Sequence, residues 1–359
     1  MSDYQPTTLA KATTLPSSWY LDPAFLERER EQIFHRSWQW VGRAEDVSRA
    51  GDHFAAEVQG EPIVVARDLD SELRGLSNVC RHRAALIAEG KGSGKLLQCP
   101  YHGWTYGLDG KLRRAPEMEG AEDFDIKDVC LPKVRVETWA PLVFANLSSS
   151  GPSFRETAPA IAKEVERGGF PIERMRFRER REYLVEANWK IYVDNYLEGY
   201  HIPMIHPALY RELDYEKYRV ETYRYHATQF APLRPAGGEH RSFLKRPKRP
   251  KREEDEKALY YWVFPNLMLN FYPGNLQANA VIPLDHERTL TVFEWFGLPG
   301  DDLEPAIAFS HQVQLEDVAI SNSVQKGIRS RSYDRGRLSM RRENGVHFFH
   351  GLLHEQLAR

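Results

Sequence analysis

The apolar positions of this chain follow three successive rhythms. Between Pro23 and Trp40, Phe25, Ile33, Phe34 and Trp38 stand out from mixed charges as the buried face of a helix. From Gly42 to Leu147 the apolar runs become short and strand-like, as in Ile63-Val64-Val65 and Leu96-Leu97. They are broken by Gly, Asn and turns such as Asp109-Gly110, which predicts a small all-β unit. The stretch Ser148-Ser149-Ser150-Gly151-Pro152 has no side chains able to cover a core and reads as a linker. Beyond it, Arg180 to Val185 predicts a strand, and Asn188 to His201 a helix that Pro203 stops. Ala258 to Gly297 is rich in Tyr, Trp, Phe and Val and is punctuated by Pro265, Pro273-Gly274 and Pro283, which predicts three or four antiparallel strands.

A long terminal helix from Asp302 to Ile328 completes an α+β architecture in which helices cover a sheet. The expected division is a helical segment, residues 1–41, packing on the last domain, then an all-β domain, 42–147, then the α+β domain, 148–359. Lys245 to Glu256, densely charged and with two prolines, reads as a solvated loop.

Composition narrows the field by exclusion. The 359 residues are 42% apolar and 28% charged, ordinary for a globular chain with room for two cores. No apolar run reaches the ~18 residues of a membrane span. Met1 to Pro16 lacks the basic start and apolar stretch of a secretory signal, so a cytoplasmic protein is expected. Forty-nine basic against 51 acidic residues give a net charge of −2, which argues against a nucleic-acid partner. Three cysteines, Cys80, Cys99 and Cys130, form no disulfide framework, and Cys130, remote from other ligand types, reads as a buried inert thiol.

The other two cysteines each sit beside a histidine. Cys80-Arg81-His82 and Cys99-Pro100-Tyr101-His102 form C-x-H and C-x₂-H motifs sixteen residues apart. A structural zinc site is one reading, although zinc fingers pair cysteine with cysteine and histidine with histidine. A Rieske [2Fe–2S] cluster, with two thiolates on one iron and two imidazoles on the other, uses two mixed loops of this kind.

A second constellation lies in Asp194-Asn195-Tyr196-Leu197-Glu198-Gly199-Tyr200-His201, with His206 five residues on. On a helix, Asp194, Glu198 and His201 share one stripe, and Pro203 and Pro207 let the chain bend His206 back toward it. Two imidazoles beside carboxylates suit ferrous iron, and ordinary core histidines with capping carboxylates fit the segment equally. In the late helix Val313, Ile320, Val324 and Ile328 form an apolar seam with Asp317 on it and Glu316 off it. A carboxylate on a buried face needs a salt-bridge partner or a metal.

These motifs together resemble the Rieske ring-hydroxylating oxygenase family, over roughly Pro23 to Leu353. Cys80-Arg81-His82-Arg83 and Cys99-Pro100-Tyr101-His102-Gly103-Trp104 look like its cluster loops, and D-N-Y-x-E-x-x-H-x₄-H like its iron segment. The resemblance implies a Rieske β domain and a helix-grip catalytic domain. It implies a [2Fe–2S] cluster held by Cys80, Cys99, His82 and His102, with Trp104 packed over it, and mononuclear Fe(II) held by His201, His206 and Asp317, rather than Glu316. Asp194 and Glu198 become the catalytic carboxylates, Glu198 bridging to His102 of a neighbouring subunit in a ring, usually a trimer. Electrons come from a reductase or ferredoxin fed by NAD(P)H, and O₂ and a small organic molecule are the substrates.

Glu rather than Asp at position 198 is similar to the branch acting on quaternary ammonium compounds: choline, glycine betaine and carnitine monooxygenases and stachydrine demethylase. Tyr260, Tyr261, Trp262, Phe264, Phe271, Tyr272, Phe293, Trp295 and Phe296 could cage a cation, although each also fits sheet core. Oxygenation of an aromatic ring is the alternative, and a non-catalytic Rieske electron carrier a more distant one.

Overall fold

The computed structural model describes residues 4–167, 170–234, 257–272 and 274–358. The Lys245 to Glu256 segment lies outside them. Chain contacts divide the molecule into two compact units, residues 34–156 and residues 1–33 together with 157–359.

The first unit is all β. Its strands are β1 (Gln39–Arg43), β2 (Asp52–Val58), β3 (Glu61–Arg67), β4 (Leu73–Ser77), β5 (Lys91–Ser93), β6 (Leu96–Gln98), β7 (Thr105–Gly107), β8 (Leu112–Arg114), β9 (Lys133–Trp139) and β10 (Leu142–Asn146). Seven form a sheet in the order β1-β10-β9-β4-β3-β2-β5, and β6-β7-β8 form a small second sheet. Val64, Ala66 and Leu76 of the large sheet share one core with Leu97, Tyr106 and Leu112 of the small one. Cys80, Cys99 and Trp104 belong to that same core, so the loops that carry them are anchored from beneath. Cys130 is exposed rather than buried, because it closes the small sheet from outside in a bridge to Lys111.

The second unit is a seven-stranded antiparallel sheet clasped by helices. Its strands β11 (Arg176–Val185), β12 (Arg219–Thr222), β13 (His226–Pro232), β14 (Lys257–Val263), β15 (Leu267–Tyr272), β16 (Asn275–Pro283) and β17 (Thr289–Gly297) run in the order β11-β17-β16-β15-β14-β13-β12. The predicted aromatic run thus resolves into four strands. The helices that position the site are α1 (Pro23–Gln32), α2 (Trp189–Tyr196), α3 (Ile202–Ile205), α4 (Pro207–Glu212), α5 (Glu304–Ile328) and α6 (Asn344–Leu357). Helix α2 packs on β16 and on α5, and α6 packs on α1 and α2. Among the described residues no helix is long and apolar enough to cross a membrane.

Four helical expectations need correction. The first helix ends at Gln32, where the chain passes from one compact unit to the other, and β1 starts at Gln39. Helix α2 ends at Tyr196 instead of running to His201, because Glu198 turns back to accept hydrogen bonds from the backbone N–H groups of Tyr200 and His201. Gly199 is needed in that turn, since a Cβ there would lie 2.7 Å from the Tyr218 ring. Pro203 does not stop a helix but sits in the first turn of α3, where its missing N–H costs nothing. The helix ending at Ile328 is not terminal: α6 follows it, burying Val346, Phe349 and Leu353 at helical spacing.

The apolar seam assigned to α5 is also incomplete. Its buried residues are Ile307, Gln314, Ser321, Gln325 and Ile328, while Val324 is exposed. The two glutamines can face inward there because they have partners: Tyr192 donates from its hydroxyl to Gln314, and the Asn188 N–H donates to Gln325 Oε1 at 2.9 Å.

Asn188 and Lys190 set the start of α2. Asn188 Oδ1 caps the helix by accepting from the Lys190 N–H at 3.0 Å, and its Nδ2 donates to the carbonyls of Tyr20 and His286. The Lys190 ammonium, fully buried, meets the equally buried Glu29 of α1 at 2.6 Å. Burial lowers the lysine pKa, and the Glu29 charge works against that. Glu29 accepts a second bond from Trp189 Nε1 at 2.7 Å. Lys190→Met would strand the Glu29 carboxylate in the core, and is expected to lower the unfolding free energy by about 3–5 kcal/mol in urea denaturation. A loss below ~1 kcal/mol would show that the pair does not hold α1 to α2.

Candidate functional site

The two Cys-His loops of the all-β unit are built alike. In one, the Cys80 N–H donates to Ala85 O at 2.9 Å and the Ala84 N–H returns to Cys80 O at 3.0 Å. In the other, the Cys99 N–H donates to Trp104 O at 2.8 Å and the Gly103 N–H returns to Cys99 O at 3.1 Å. The fifth residue of each loop is left-handed, Ala84 at φ 59° and Gly103 at φ 71°. This matched geometry brings the imidazoles of His82 and His102 side by side, their centroids 4.7 Å apart. Both thiols are buried and both histidines exposed.

The surroundings favour thiolate and imidazole ligands. Tyr106 accepts from the Arg81 N–H at 3.0 Å, which leaves its hydroxyl proton for Cys80 Sγ at 3.4 Å. A hydrogen-bond donor beside a ligand sulfur stabilises its negative charge. His82 lies flat against Trp104, 4.9 Å between centroids and 5° between planes, and Tyr101 stacks on His102 at 3.7 Å. Two sulfur and two nitrogen donors on paired loops fit a [2Fe–2S] group with mixed ligation.

In the other unit, α3 and α4 carry His201 and His206 to Asp317 on α5. Ligand atoms of these three residues all lie within 4.8 Å of one another. His206 Nε2 is 2.9 Å and His201 Nε2 3.9 Å from Asp317 Oδ1, and the two rings stand 5.0 Å apart at 80°. The outer nitrogen of each ring is held by its own carboxylate: His201 Nδ1 meets Glu198 Oε1 at 2.5 Å, and His206 Nδ1 meets Glu316 Oε2 at 2.7 Å. That arrangement turns both Nε2 lone pairs inward. Burial lowers the pKa of His206, but Asp317 and Glu316 outweigh it and the net direction is upward. Two imidazoles and one carboxylate on one side of a cavity fit ferrous iron with open positions.

The predicted residues therefore separate by location. His201, His206 and Asp317 converge, Glu198 touches the group through His201, and Asp194 stands outside it, accepting from Tyr20 at 2.9 Å and paired with His350 Nε2 at 2.9 Å. Sequence reasoning left Glu316 aside as off the helix seam, and missed that an (i, i+1) carboxylate pair can serve a single imidazole from both sides. It also missed Asn195, which donates to Asp317 Oδ1 at 2.7 Å and lies within the motif itself.

A cavity opens over the three converging side chains. One cross-strand row, Gln229–Tyr260–Asn270–Gln277–Trp295, lines it through five strands and mixes two aromatic rings with three amides. Of the nine predicted cage aromatics, Tyr260, Tyr272, Phe293 and Trp295 line this cavity. The other five are not among its lining residues. Tyr192, Tyr196, Tyr218 and Phe309 add rings that the strand-based reading could not supply, since they come from helices and a loop.

A mixed Cys/His loop pair and a two-histidine, one-carboxylate group define a class: proteins that couple an iron–sulfur cluster to a separate iron. Residues 37–134 match the Rieske [2Fe-2S] domain, and residues 172–359 match the ring hydroxylating alpha subunit catalytic domain. The chain is 34% identical to the chloroplastic choline monooxygenase of Arabidopsis thaliana, covering 97% of this chain and 84% of that protein. It is 32% identical to the carnitine monooxygenase oxygenase subunit of Escherichia coli K12, covering 96% and 93%. The quaternary ammonium Rieske monooxygenase CntA with bound L-carnitine superposes with a TM-score of 0.84 at 27% identity, covering 97% of each chain. Naphthalene 1,2-dioxygenase from Rhodococcus shares the fold, with a TM-score of 0.76 at 19% identity over 96% of this chain and 95% of that one.

The chain belongs to the Rieske ring-hydroxylating oxygenase family, as an alpha subunit. It is an oxidoreductase with a Rieske [2Fe–2S] cluster and a mononuclear iron, and it works with a reductase. The zinc-module and lone electron-carrier readings are set aside by the catalytic domain.

Proposed function

We propose that this chain is a terminal oxygenase that hydroxylates a quaternary ammonium compound, in the cytoplasm, within a homotrimeric ring. The observation that carries the substrate reading is the cavity, where aromatic rings surround space bordered by the Glu198 and Asp317 carboxylates. Ring faces and carboxylates attract a cation that cannot donate a hydrogen bond, each desolvated ring contributing about 0.5–2 kcal/mol. Choline and carnitine are the compounds named for the similar monooxygenases.

In this reading Cys80 and Cys99 hold one cluster iron, His82 and His102 the other, and His201, His206 and Asp317 hold the mononuclear iron. That iron, when bound, supplies O₂ activation. The protein's own part is positional. The rings hold the trimethylammonium group so that a C–H bond beside nitrogen faces the three ligands, and Glu198 and Glu316 keep both imidazoles in the tautomer that points Nε2 inward. Asp194 anchors α2 to Tyr20 and His350, and so fixes the turn that presents Glu198. Hydroxylation of an N-methyl group gives a carbinolamine that releases formaldehyde, and hydroxylation of the choline carbinol carbon gives an aldehyde hydrate.

Support for the ring comes from where apolar surface remains. Tyr101 beside His102 is exposed, as are Tyr200 and Met204 beside His201. A head-to-tail contact would cover both and set Glu198 against the partner subunit's His102.

The first experiment exposes reduced, iron-loaded protein to O₂ with betaines, choline and simple aromatic acids. Formaldehyde or an aldehyde from the ammonium compounds is the expected product, and oxygenation of the aromatic acids alone would replace the proposal with aromatic oxygenation. Asp317→Ala is expected to lose about one iron per chain while keeping the cluster absorption, and full retention would transfer the ligand role to Glu316. Glu198→Gln is expected to keep both metals yet cut product per cluster electron by about tenfold or more in a single turnover. An unchanged yield would end its bridging role.

A further inference from the structure

The cavity wall fixes the direction of one amide without ambiguity. An indole N–H can only donate, so the Gln277 atom 3.1 Å from Trp295 Nε1 is the carbonyl oxygen. Ser310 Oγ donates to that same oxygen at 2.7 Å. The Gln277 amide nitrogen therefore faces the other way, toward Asn279, and the Asn279 atom that it meets at 3.0 Å is Oδ1.

With Oδ1 occupied, Asn279 has only its Nδ2 left. Asn279 is 2% exposed, lines the cavity and makes no further side-chain hydrogen bond with a described residue. Three elements lock this chain of bonds: Trp295 from β17, Ser310 from α5, and Gln277 with Asn279 from β16. A donor held in one orientation, facing the cavity and not spent on a described residue, is available to a ligand there.

We infer that Asn279 Nδ2 donates a hydrogen bond to an oxygen on the uncharged or anionic end of the substrate, and so selects an oxygen-bearing quaternary ammonium compound over its deoxygenated analogue. The inference rests on the quaternary ammonium reading and deepens it: aromatic rings hold the cationic end, and Asn279 reads the other. A hydroxyl or a carboxylate could supply the oxygen, since either accepts from an amide N–H.

Two compound pairs separate these sources and test the assignment. Choline is compared with ethyltrimethylammonium, which lacks only the hydroxyl oxygen, and γ-butyrobetaine with butyltrimethylammonium, where methyl replaces the carboxylate. Affinity is measured by calorimetry on the metal-loaded protein, and kcat/KM by aldehyde release. The wild type is expected to favour the oxygenated member of at least one pair by about tenfold or more, and the favoured pair identifies the oxygen. Asn279→Leu for either pair, and Asn279→Asp for the γ-butyrobetaine pair, each retaining the wild-type cluster spectrum, are expected to reduce that preference to within about twofold or below. The Asp variant keeps an acceptor for Gln277; its charge also repels a carboxylate, which deepens the loss in the γ-butyrobetaine pair, whereas it can accept from the choline hydroxyl, so Asn279→Leu decides the choline pair.

Persistence of the preference in Asn279→Leu overturns the assignment, as does its retention by Asn279→Asp in the γ-butyrobetaine pair, where loss in Leu alone would report packing. A wild type that discriminates in neither pair also overturns it. Absence of binding by all four compounds would instead refute the quaternary ammonium reading, and the Asn279 assignment with it.

Discussion

Everything in the catalytic unit depends on bringing two imidazoles and a carboxylate within a few ångströms and keeping them there. Side chains so placed lose rotamer freedom, and nothing about a histidine obliges it to aim a given nitrogen inward. The structure meets this with one carboxylate behind each ring. Glu198 sits behind His201 and Glu316 behind His206, and each is fixed in turn, Glu198 by the backbone of its own turn and Glu316 by Gln312 at 3.0 Å. The distant parts of the fold serve the same end. The buried Glu29–Lys190 pair, the Asn188 cap and the Asp194–His350 contact all hold α2, and the end of α2 sets where Glu198 begins.

Much of this was legible in the sequence because metal chemistry restricts residue type. Cysteine and histidine at C-x-H and C-x₂-H spacing have few uses, and the D-N-Y-x-E-x-x-H-x₄-H segment ties both histidines to one stretch of chain. Strand texture was equally direct: Arg180 to Val185 lies within β11, and the aromatic run became four strands. What escaped was governed by tertiary partners. The end of α2 is set by a glutamate side chain returning to its own backbone, and helical periodicity carries no sign of that. The inward face of α5 is polar because Tyr192, Asn188 and Thr291 are there to satisfy Gln314 and Gln325. A reading based on apolar spacing chose Val324 instead.

The aromatic run shows the same limit from another side. Alternation along a strand tells which residues share a face, but not which face meets the cavity. Tyr260 and Tyr261 are neighbours in sequence, and only the first lines the site. Register decides the matter, since it is the row from Gln229 to Trp295 that lines the cavity together with His201, His206 and Asp317.

The raised pKa of His206 has a thermodynamic corollary. Without metal, the attraction of Asp317 and Glu316 lets the ring keep a proton to higher pH than a free imidazole would. That proton relieves the repulsion between the neighbouring Asp317 and Glu316 carboxylates. A metal ion held by His201, His206 and Asp317 would compete with that proton for one lone pair. Uptake of a metal there would release the proton, so its apparent affinity would rise with pH.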